Sequence, residues 1–156
     1  MNKTIICYFS ASGITKNVAL KISSIINGDL FEIKPLEEYS NEDLNWNNPN
    51  SRSSIEMNDS SVRPRMKEQL TNIDNYNTVI IGYPIWWDLA PRIINTFIES
   101  INLENKKVYI FATSGGSSIE GSLNNLRKTY PNINFVNGKR LSTNIDSNEI
   151  SFWLNS

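Results

Sequence analysis

Apolar residues form three nearly unbroken runs along the chain, and each run ends abruptly in a polar or aromatic loop. The runs extend from Ile5 to Phe9, from Thr78 to Tyr83 and from Val108 to Ala112. Short runs of this kind are typical of strands buried on both faces, as in the centre of a parallel sheet. Residues 30–33 and 133–136 are shorter and of mixed polarity, which is typical of edge strands. The pattern therefore predicts five strands.

Between the strands, apolar residues recur at the three- and four-residue spacing of amphipathic helices. The expected buried faces are formed by Ile14, Val18, Ile22 and Ile25; by Met66, Leu70 and Ile73; by Ile93, Ile94, Phe97, Ile98 and Ile101; and by Ile119, Leu123, Leu126 and Tyr130. Gly28 is expected to end the first helix, and Pro64 and Pro91 suit the first turns of the second and third. Asp146 or Ser147 is expected to cap a short last helix.

This regular alternation of strand and helix predicts an α/β fold in a single domain, residues 1–156. We expect a three-layer, doubly wound, five-stranded parallel sheet. The apolar strands one, three and four belong in its centre and the mixed strands at its edges, which favours the order 2-1-3-4-5. The topological switch point then lies between strands one and three, where such sheets bind ligands.

Residues 37–62, called the excursion below, interrupt the alternation. They show no clean period and are rich in Asn, Ser, Glu and Asp. Loops of this length are unusual inside a domain and are often functional. We expect short helical turns, around Glu42 to Trp46. Two interpretations stay open: a lid over the site, or a solvated segment anchored by a buried Trp46.

Composition and charge exclude several classes of function. A net charge of −1 gives neither the basic surface of a nucleic-acid-binding protein nor a polybasic membrane anchor. No apolar stretch approaches the roughly 20 residues that span a bilayer, and the first residues do not resemble a signal peptide. The single cysteine, Cys7, cannot form an internal disulfide, and we interpret it as a buried hydrophobe. We therefore expect a cytoplasmic protein with no nucleic-acid or membrane partner.

The chain contains no histidine. This excludes His-dependent catalytic triads and Cys–His nucleophiles, and it disfavours nearly all transition-metal sites. We expect no metal site. Any chemistry beyond binding must then come from a cofactor.

The first loop, residues 10–15, is a candidate phosphate site. Its residues are Ser10, Ala11, Ser12, Gly13, Ile14 and Thr15. Hydroxyls, backbone N–H groups and a helix start suit a phosphate, although such turns are also common as simple helix caps. The chain has neither the Gly-Lys-Ser/Thr of a P-loop nor a Gly-x-Gly-x-x-Gly. The remaining interpretation is a site in which uncharged donors hold a phosphate, as in a flavin mononucleotide (FMN) site.

Two further loops follow strands three and four. The second loop, residues 84–88, consists of Pro84, Ile85, Trp86, Trp87 and Asp88. The third loop, residues 113–117, consists of Thr113, Ser114, Gly115, Gly116 and Ser117. Adjacent tryptophans suit stacking on a planar ligand such as an isoalloxazine ring, although one of them could instead pack into the core. The two glycines allow the backbone to approach a flat ring closely.

These three loops resemble those of the flavodoxin family, and more narrowly those of small flavodoxin-like proteins with a Gly-Tyr-Pro-Ile-Trp-Trp loop. The matching segments are residues 8–15, residues 82–87 with Pro91, and residues 112–117. The resemblance covers essentially the whole chain. It implies bound FMN, with its phosphate on the first loop and its ring between the second and third. It also implies electron transfer with redox partner proteins, and we expect a monomer or weak dimer.

The chain departs from the family pattern in three ways. Asp88 stands where relatives often have glycine, Ser114 stands where many have histidine, and the net charge of −1 differs from that of the acidic electron carriers. We favour an electron carrier. The alternative is an NAD(P)H- or quinone-dependent FMN oxidoreductase on the same fold. A signalling receiver domain is disfavoured, because strands one and three do not end in clustered acids.

Overall fold

A five-stranded sheet forms the centre of the computed structural model, which describes residues 3–114 and 116–155. Its strands are β1 (Thr4–Tyr8), β2 (Asp29–Glu32), β3 (Thr78–Pro84), β4 (Lys107–Thr113) and β5 (Asn134–Arg140). All pairings are parallel, and the strands lie in the order β2-β1-β3-β4-β5. The predicted order is confirmed, and the two strands of mixed polarity lie at the edges because each has only one strand neighbour.

Helices cover both faces of the sheet. They are α1 (Ile14–Ile26), α2 (Arg52–Met57), α3 (Arg92–Ser100), α4 (Glu120–Thr129) and α5 (Ser147–Leu154). Side chains of α3 and α4 pack in one core, and those of α1 and α5 pack in a second core. Successive strand residues point to opposite faces, so Ile5 and Cys7 lie in the first core and Ile6 and Tyr8 in the second. The predicted three-layer architecture is confirmed.

The helix predicted after Pro64 is wrong. Met66 instead forms an isolated antiparallel bridge with Pro35, and Lys67 N–H donates to the Lys34 carbonyl at 2.8 Å. Only a short 3₁₀ turn, Ile73–Asn75, follows. Met66 still packs against the core. The apolar spacing therefore identified a buried face, but hydrogen bonds to the segment after β2 compete with the helix and keep the backbone extended.

The helix ends differ in detail from the prediction. Helix α1 ends at Ile26, and the next residue, Asn27, adopts a left-handed conformation with φ 56°. Asn tolerates this geometry better than most residues, so Gly28 is not needed there. Ile14 is 54% exposed rather than buried. The predicted cap of the last helix is confirmed, because the Asp146 carboxylate accepts a hydrogen bond from Glu149 N–H at 2.8 Å.

The excursion contains more regular structure than the sequence indicated. Turns occur at residues 41–44, and α2 follows at Arg52–Met57. Trp46 is 69% exposed, so the interpretation of Trp46 as a buried anchor is wrong. The buried residues of α2 are Ser53, Ser54, Glu56 and Met57.

Cys7 is fully buried in β1. Burial raises the pKa of its thiol, so the sulfur stays protonated and unreactive. The interpretation of Cys7 as a buried hydrophobe is confirmed. Within residues 3–114 and 116–155, no helix has both the length and the apolar character needed to cross a membrane.

Gly82 in β3 allows a close approach between two central strands. It lies opposite Phe111 of β4, whose ring is fully buried. A Cβ atom at position 82 would overlap this ring. The Phe111 ring therefore occupies the space that any larger residue at position 82 would need.

Replacing Gly82 by Ala should destabilise the fold, because the added Cβ atom would overlap the buried Phe111 ring and force it to shift. Overpacking of a core typically lowers the free energy of unfolding by about 1–3 kcal/mol, which urea unfolding would measure. Gly116→Ala is the matched control, since nothing lies within 4 Å of a Cβ built there. Equal unfolding midpoints for the two variants would contradict this packing.

Candidate ligand-binding site

The three candidate loops lie side by side because they follow β1, β3 and β4, which are neighbours in the sheet. Tyr8 at the end of β1 is in register with Gly82, and Pro84 at the end of β3 is in register with Thr113. Parallel strands place their carboxyl ends at one edge. The sheet therefore brings the loops together, as the sequence predicted.

The first loop turns sharply into α1. Gly13 has a φ of 96°, a left-handed conformation that glycine adopts at little cost. Its N–H donates to Ser10 Oγ at 3.0 Å, which leaves the Ser10 hydroxyl proton free for another acceptor. Among the residues that the structure describes, no side chain caps helix α1, and its first turn contains no acidic residue. Its N-terminal N–H groups are thus open to an anion.

Thr15 and Thr113 connect the first loop to the third. Their hydroxyl oxygens are 2.8 Å apart, and the two residues are 2% and 6% exposed, respectively. In such a pair one hydroxyl donates and the other accepts, so the accepting hydroxyl keeps a proton for a second hydrogen bond. Thr15 is therefore a buried link between two loops. One of the two hydroxyl protons is not used in this link and can be donated to another acceptor.

The second loop contains a tight turn from Trp86 to Leu89. Their backbone groups exchange two hydrogen bonds, with N···O distances of 2.9 Å and 3.0 Å. The central residues, Trp87 and Asp88, have φ values of 49° and 65°, and positive φ at both positions is the requirement of a type I′ turn. Asp88 thus adopts the backbone conformation that glycine favours, at a cost of about 1–2 kcal/mol.

The two tryptophans have different surroundings. Trp86 is half-buried and packs edge-to-face on Phe9 and Tyr39, with ring centroids 5.7 Å and 5.3 Å away. Trp87 is 46% exposed. Trp86 is fixed against the core, whereas one side of Trp87 is open to a ligand.

Asp88 lies outside the cavity that the second loop lines. Its carboxylate packs against Gly121, where any side chain would overlap it. Gly121 is in the first turn of α4, and a negative charge near a helix N-terminus is favourable. Asp88 therefore anchors the turn to α4, and its predicted contact with a ligand stays a prediction.

A cavity of about 520 Å³ opens between the first two loops and the excursion. Small-molecule sites typically have volumes of about 300–1,000 Å³. Its lining residues are Ala11, Ser12, Leu44, Trp46, Ser53, Pro84, Ile85, Trp86 and Trp87. The sequence predicted the first- and second-loop residues in this set, but it missed the three from the excursion.

The third loop contributes no lining residue to this cavity among those that the structure describes. Ser114 Oγ donates to the Ser117 carbonyl at 2.8 Å and accepts from Gly116 N–H at 3.1 Å, so the loop closes on itself. Gly115 lies outside the described residues. The prediction that the third loop contacts a flat ring stays a prediction.

Helix α2 is held in place by Glu56, which is 7% exposed. Tyr39 Oη donates to Glu56 Oε1 at 2.5 Å, and Arg52 Nε donates to Oε2 at 3.0 Å. The Arg52 guanidinium also lies 3.8 Å from the Tyr39 ring centroid. Burial and the Glu56 carboxylate raise the pKa of Tyr39, so its hydroxyl stays protonated and donates.

These contacts make the excursion a fixed wall of the cavity, since Tyr39 also packs on Trp86. Two sequence signals could have located α2. Arg52 and Glu56 have the i,i+4 spacing of a helical ion pair, and Ser51 is a good N-cap whose side chain accepts from Ser54 N–H.

The Thr15–Thr113 pair gives a testable prediction. Thr15→Val should lower the free energy of unfolding by about 1–3 kcal/mol, because it leaves the buried Thr113 hydroxyl without its partner. Replacing both threonines by Val removes both polar groups and should be nearly neutral for the apoprotein. Urea unfolding of the two single variants and the double variant measures this coupling. Additive losses in the double variant would argue against the hydrogen bond.

Known proteins resemble this chain in sequence and in fold. The model of a family described as Flavodoxin matches residues 3–156. A solved structure described as a candidate flavoprotein from Bacteroides eggerthii is 51% identical, with a TM-score of 0.97 over 99% of this chain and 97% of its own. A similarly described protein from Bacteroides uniformis is 42% identical, with a TM-score of 0.93 and 99% of each chain covered. No curated protein sequence matches.

A flavoprotein from Lactobacillus acidophilus, solved in complex with FMN, is 25% identical to this chain. Its TM-score is 0.79, and 99% of each chain is covered.

Proposed function

Because the chain belongs to the flavodoxin family, we propose that it binds FMN and transfers electrons through the bound flavin. The observation that carries this proposal is the cavity lined by Trp86 and Trp87 beside the uncapped start of α1. The Lactobacillus acidophilus relative in complex with FMN supports it.

The first loop fits the phosphate. Ser10 has a free hydroxyl proton, Ser12 is exposed, and the turn at Gly13 opens the N–H groups of α1. None of these donors carries a formal charge, and the first turn of α1 has no acidic residue to repel an anion. This arrangement favours FMN over riboflavin, which lacks the phosphate.

The second loop and the excursion fit the ring. Ile85, Trp87 and Trp46 offer apolar and aromatic surface to a flat ligand, and stacking on indole suits an isoalloxazine. Bound FMN supplies the redox chemistry, while these residues orient the ring and shield part of it from water. We expect redox partner proteins, a monomer or weak dimer, and a cytoplasmic location, and these belong to the proposal.

Two observations favour the alternative, an NAD(P)H- or quinone-dependent FMN oxidoreductase. The net charge of −1 offers little electrostatic steering toward a basic redox partner. In addition, Trp46 is 69% exposed at the cavity and is available to a small apolar substrate. We favour the carrier, because the family resemblance implies it and the chain has no dinucleotide fingerprint.

We expect FMN to bind with 1:1 stoichiometry, to quench tryptophan emission and to bind more tightly than riboflavin. Trp87→Ala should raise the FMN Kd about 2- to 13-fold, which corresponds to the roughly 0.5–1.5 kcal/mol of an aromatic contact. Fluorescence titration measures both effects. Phe152→Ala is the control, since Phe152 is 78% exposed on α5 and does not line the cavity. Unchanged affinity and quenching in Trp87→Ala would refute stacking on Trp87.

A carrier should not consume NAD(P)H rapidly without a separate reductase. We therefore expect the purified, FMN-loaded protein to oxidise NAD(P)H only slowly, with or without a quinone, as followed by absorbance at constant protein concentration. Addition of a flavodoxin reductase should accelerate the reaction. Rapid turnover by the protein alone would assign it to the oxidoreductase class.

A further inference from the structure

Ser53 carries a buried hydroxyl that the protein does not satisfy. The residue is 2% exposed, and its Oγ has no hydrogen-bond partner among the described residues. A buried polar group without a partner typically costs about 1–3 kcal/mol. Such groups are uncommon in folded proteins, and each one calls for an explanation.

Two other serines at the start of α2 do have hydrogen-bond partners, because they bond to each other. Ser51 Oγ donates to Ser54 Oγ at 2.9 Å and accepts from Ser54 N–H at 3.3 Å. The Ser53 backbone is also satisfied, because its N–H donates to the Asp43 carbonyl at 2.9 Å. The missing hydrogen bond is therefore confined to one side-chain atom.

Ser53 lines the cavity that also contains Trp46, Trp86 and Trp87. Helix α2 is fixed there by the hydrogen bonds of Glu56 to Tyr39 and Arg52. The backbone that carries the Ser53 hydroxyl is therefore held in position before any ligand binds. A pre-positioned polar group in a largely apolar pocket is the usual device for orienting a ligand.

We propose that Ser53 Oγ is a ligand-binding group that hydrogen-bonds the polar edge of a flat heteroaromatic ring in this cavity. This inference rests on the proposed function, in which the ring is that of FMN. A hydroxyl both donates and accepts, so it suits a ring edge that carries carbonyl oxygens and ring nitrogens. The excursion is then part of the binding site and not a solvated segment.

The test compares Ser53→Ala with Ser54→Ala, two buried serines one residue apart. In the apoprotein, Ser53→Ala should raise the thermal midpoint by a few degrees, because it removes an unsatisfied hydroxyl. Ser54→Ala should lower the midpoint, because it leaves the Ser51 hydroxyl without its acceptor. The two variants should therefore shift apoprotein stability in opposite directions.

The two substitutions should affect FMN affinity differently from apoprotein stability. Ser53→Ala should raise the FMN Kd about 2- to 13-fold, the range that one hydrogen bond gives, whereas Ser54→Ala should change it less. Riboflavin lacks the phosphate, and lumiflavin lacks both the phosphate and the sugar-derived chain. The Ser53→Ala substitution should lower the affinity for each of them by the same factor as for FMN. Ser53→Cys, with a weak donor of similar size, should also bind less tightly than the unmutated protein.

The outcomes separate this inference from the proposed function. If the unmutated protein does not bind FMN, the proposed function fails and the role of Ser53 fails with it. If it binds FMN and Ser53→Ala binds equally well, only the role of Ser53 fails. A loss confined to FMN would place the hydroxyl at the phosphate and overturn the ring contact. A lower apoprotein midpoint for Ser53→Ala would show a structural role instead.

Discussion

Parallel pairing of β1, β3 and β4 determines where every candidate residue lies, because it places the ends of three strands at one edge of the sheet. The register of Tyr8 with Gly82, and of Pro84 with Thr113, sets the distances between the loops. The hydrogen bond between Thr15 and Thr113 then connects the outer two loops directly. A shift of one residue would turn the inward-facing strand residues toward the opposite core, so both cores maintain the site geometry.

The sheet and the site were predictable from the sequence to different degrees. Buried central strands appear as apolar runs, so residues 5–9 and 108–112 gave both the strands and their central positions. Local spacing did not reveal hydrogen bonds between distant segments. Met66 therefore follows the helical period but pairs with Pro35, and the sequence did not show that the excursion would fold back over the second loop.

The contacts that hold the excursion explain why the sequence did not reveal its cavity residues. Its attachment depends on Glu56, whose carboxylate is shared by Tyr39 and Arg52, and on Arg92, which donates to the Glu56 and Met57 carbonyls at 3.1 Å and 3.0 Å. These are polar interactions of charged residues, in a segment whose composition is typical of solvent-exposed loops. Hydrophobic periodicity does not detect them, whereas the capping residue Ser51 and the Arg52–Glu56 spacing do.

Three departures from the local rules of folding lie in or next to the cavity. Trp87 and Asp88 adopt left-handed backbone conformations without being glycine, and Ser53 buries an unpaired hydroxyl. Each feature costs stability, and natural proteins tolerate such costs chiefly where function requires them. The turn fixes Trp87 and helix α2 holds Ser53, and both residues line the cavity. Since both are positioned before binding, a ligand that fills the cavity loses less of its binding free energy to ordering the protein.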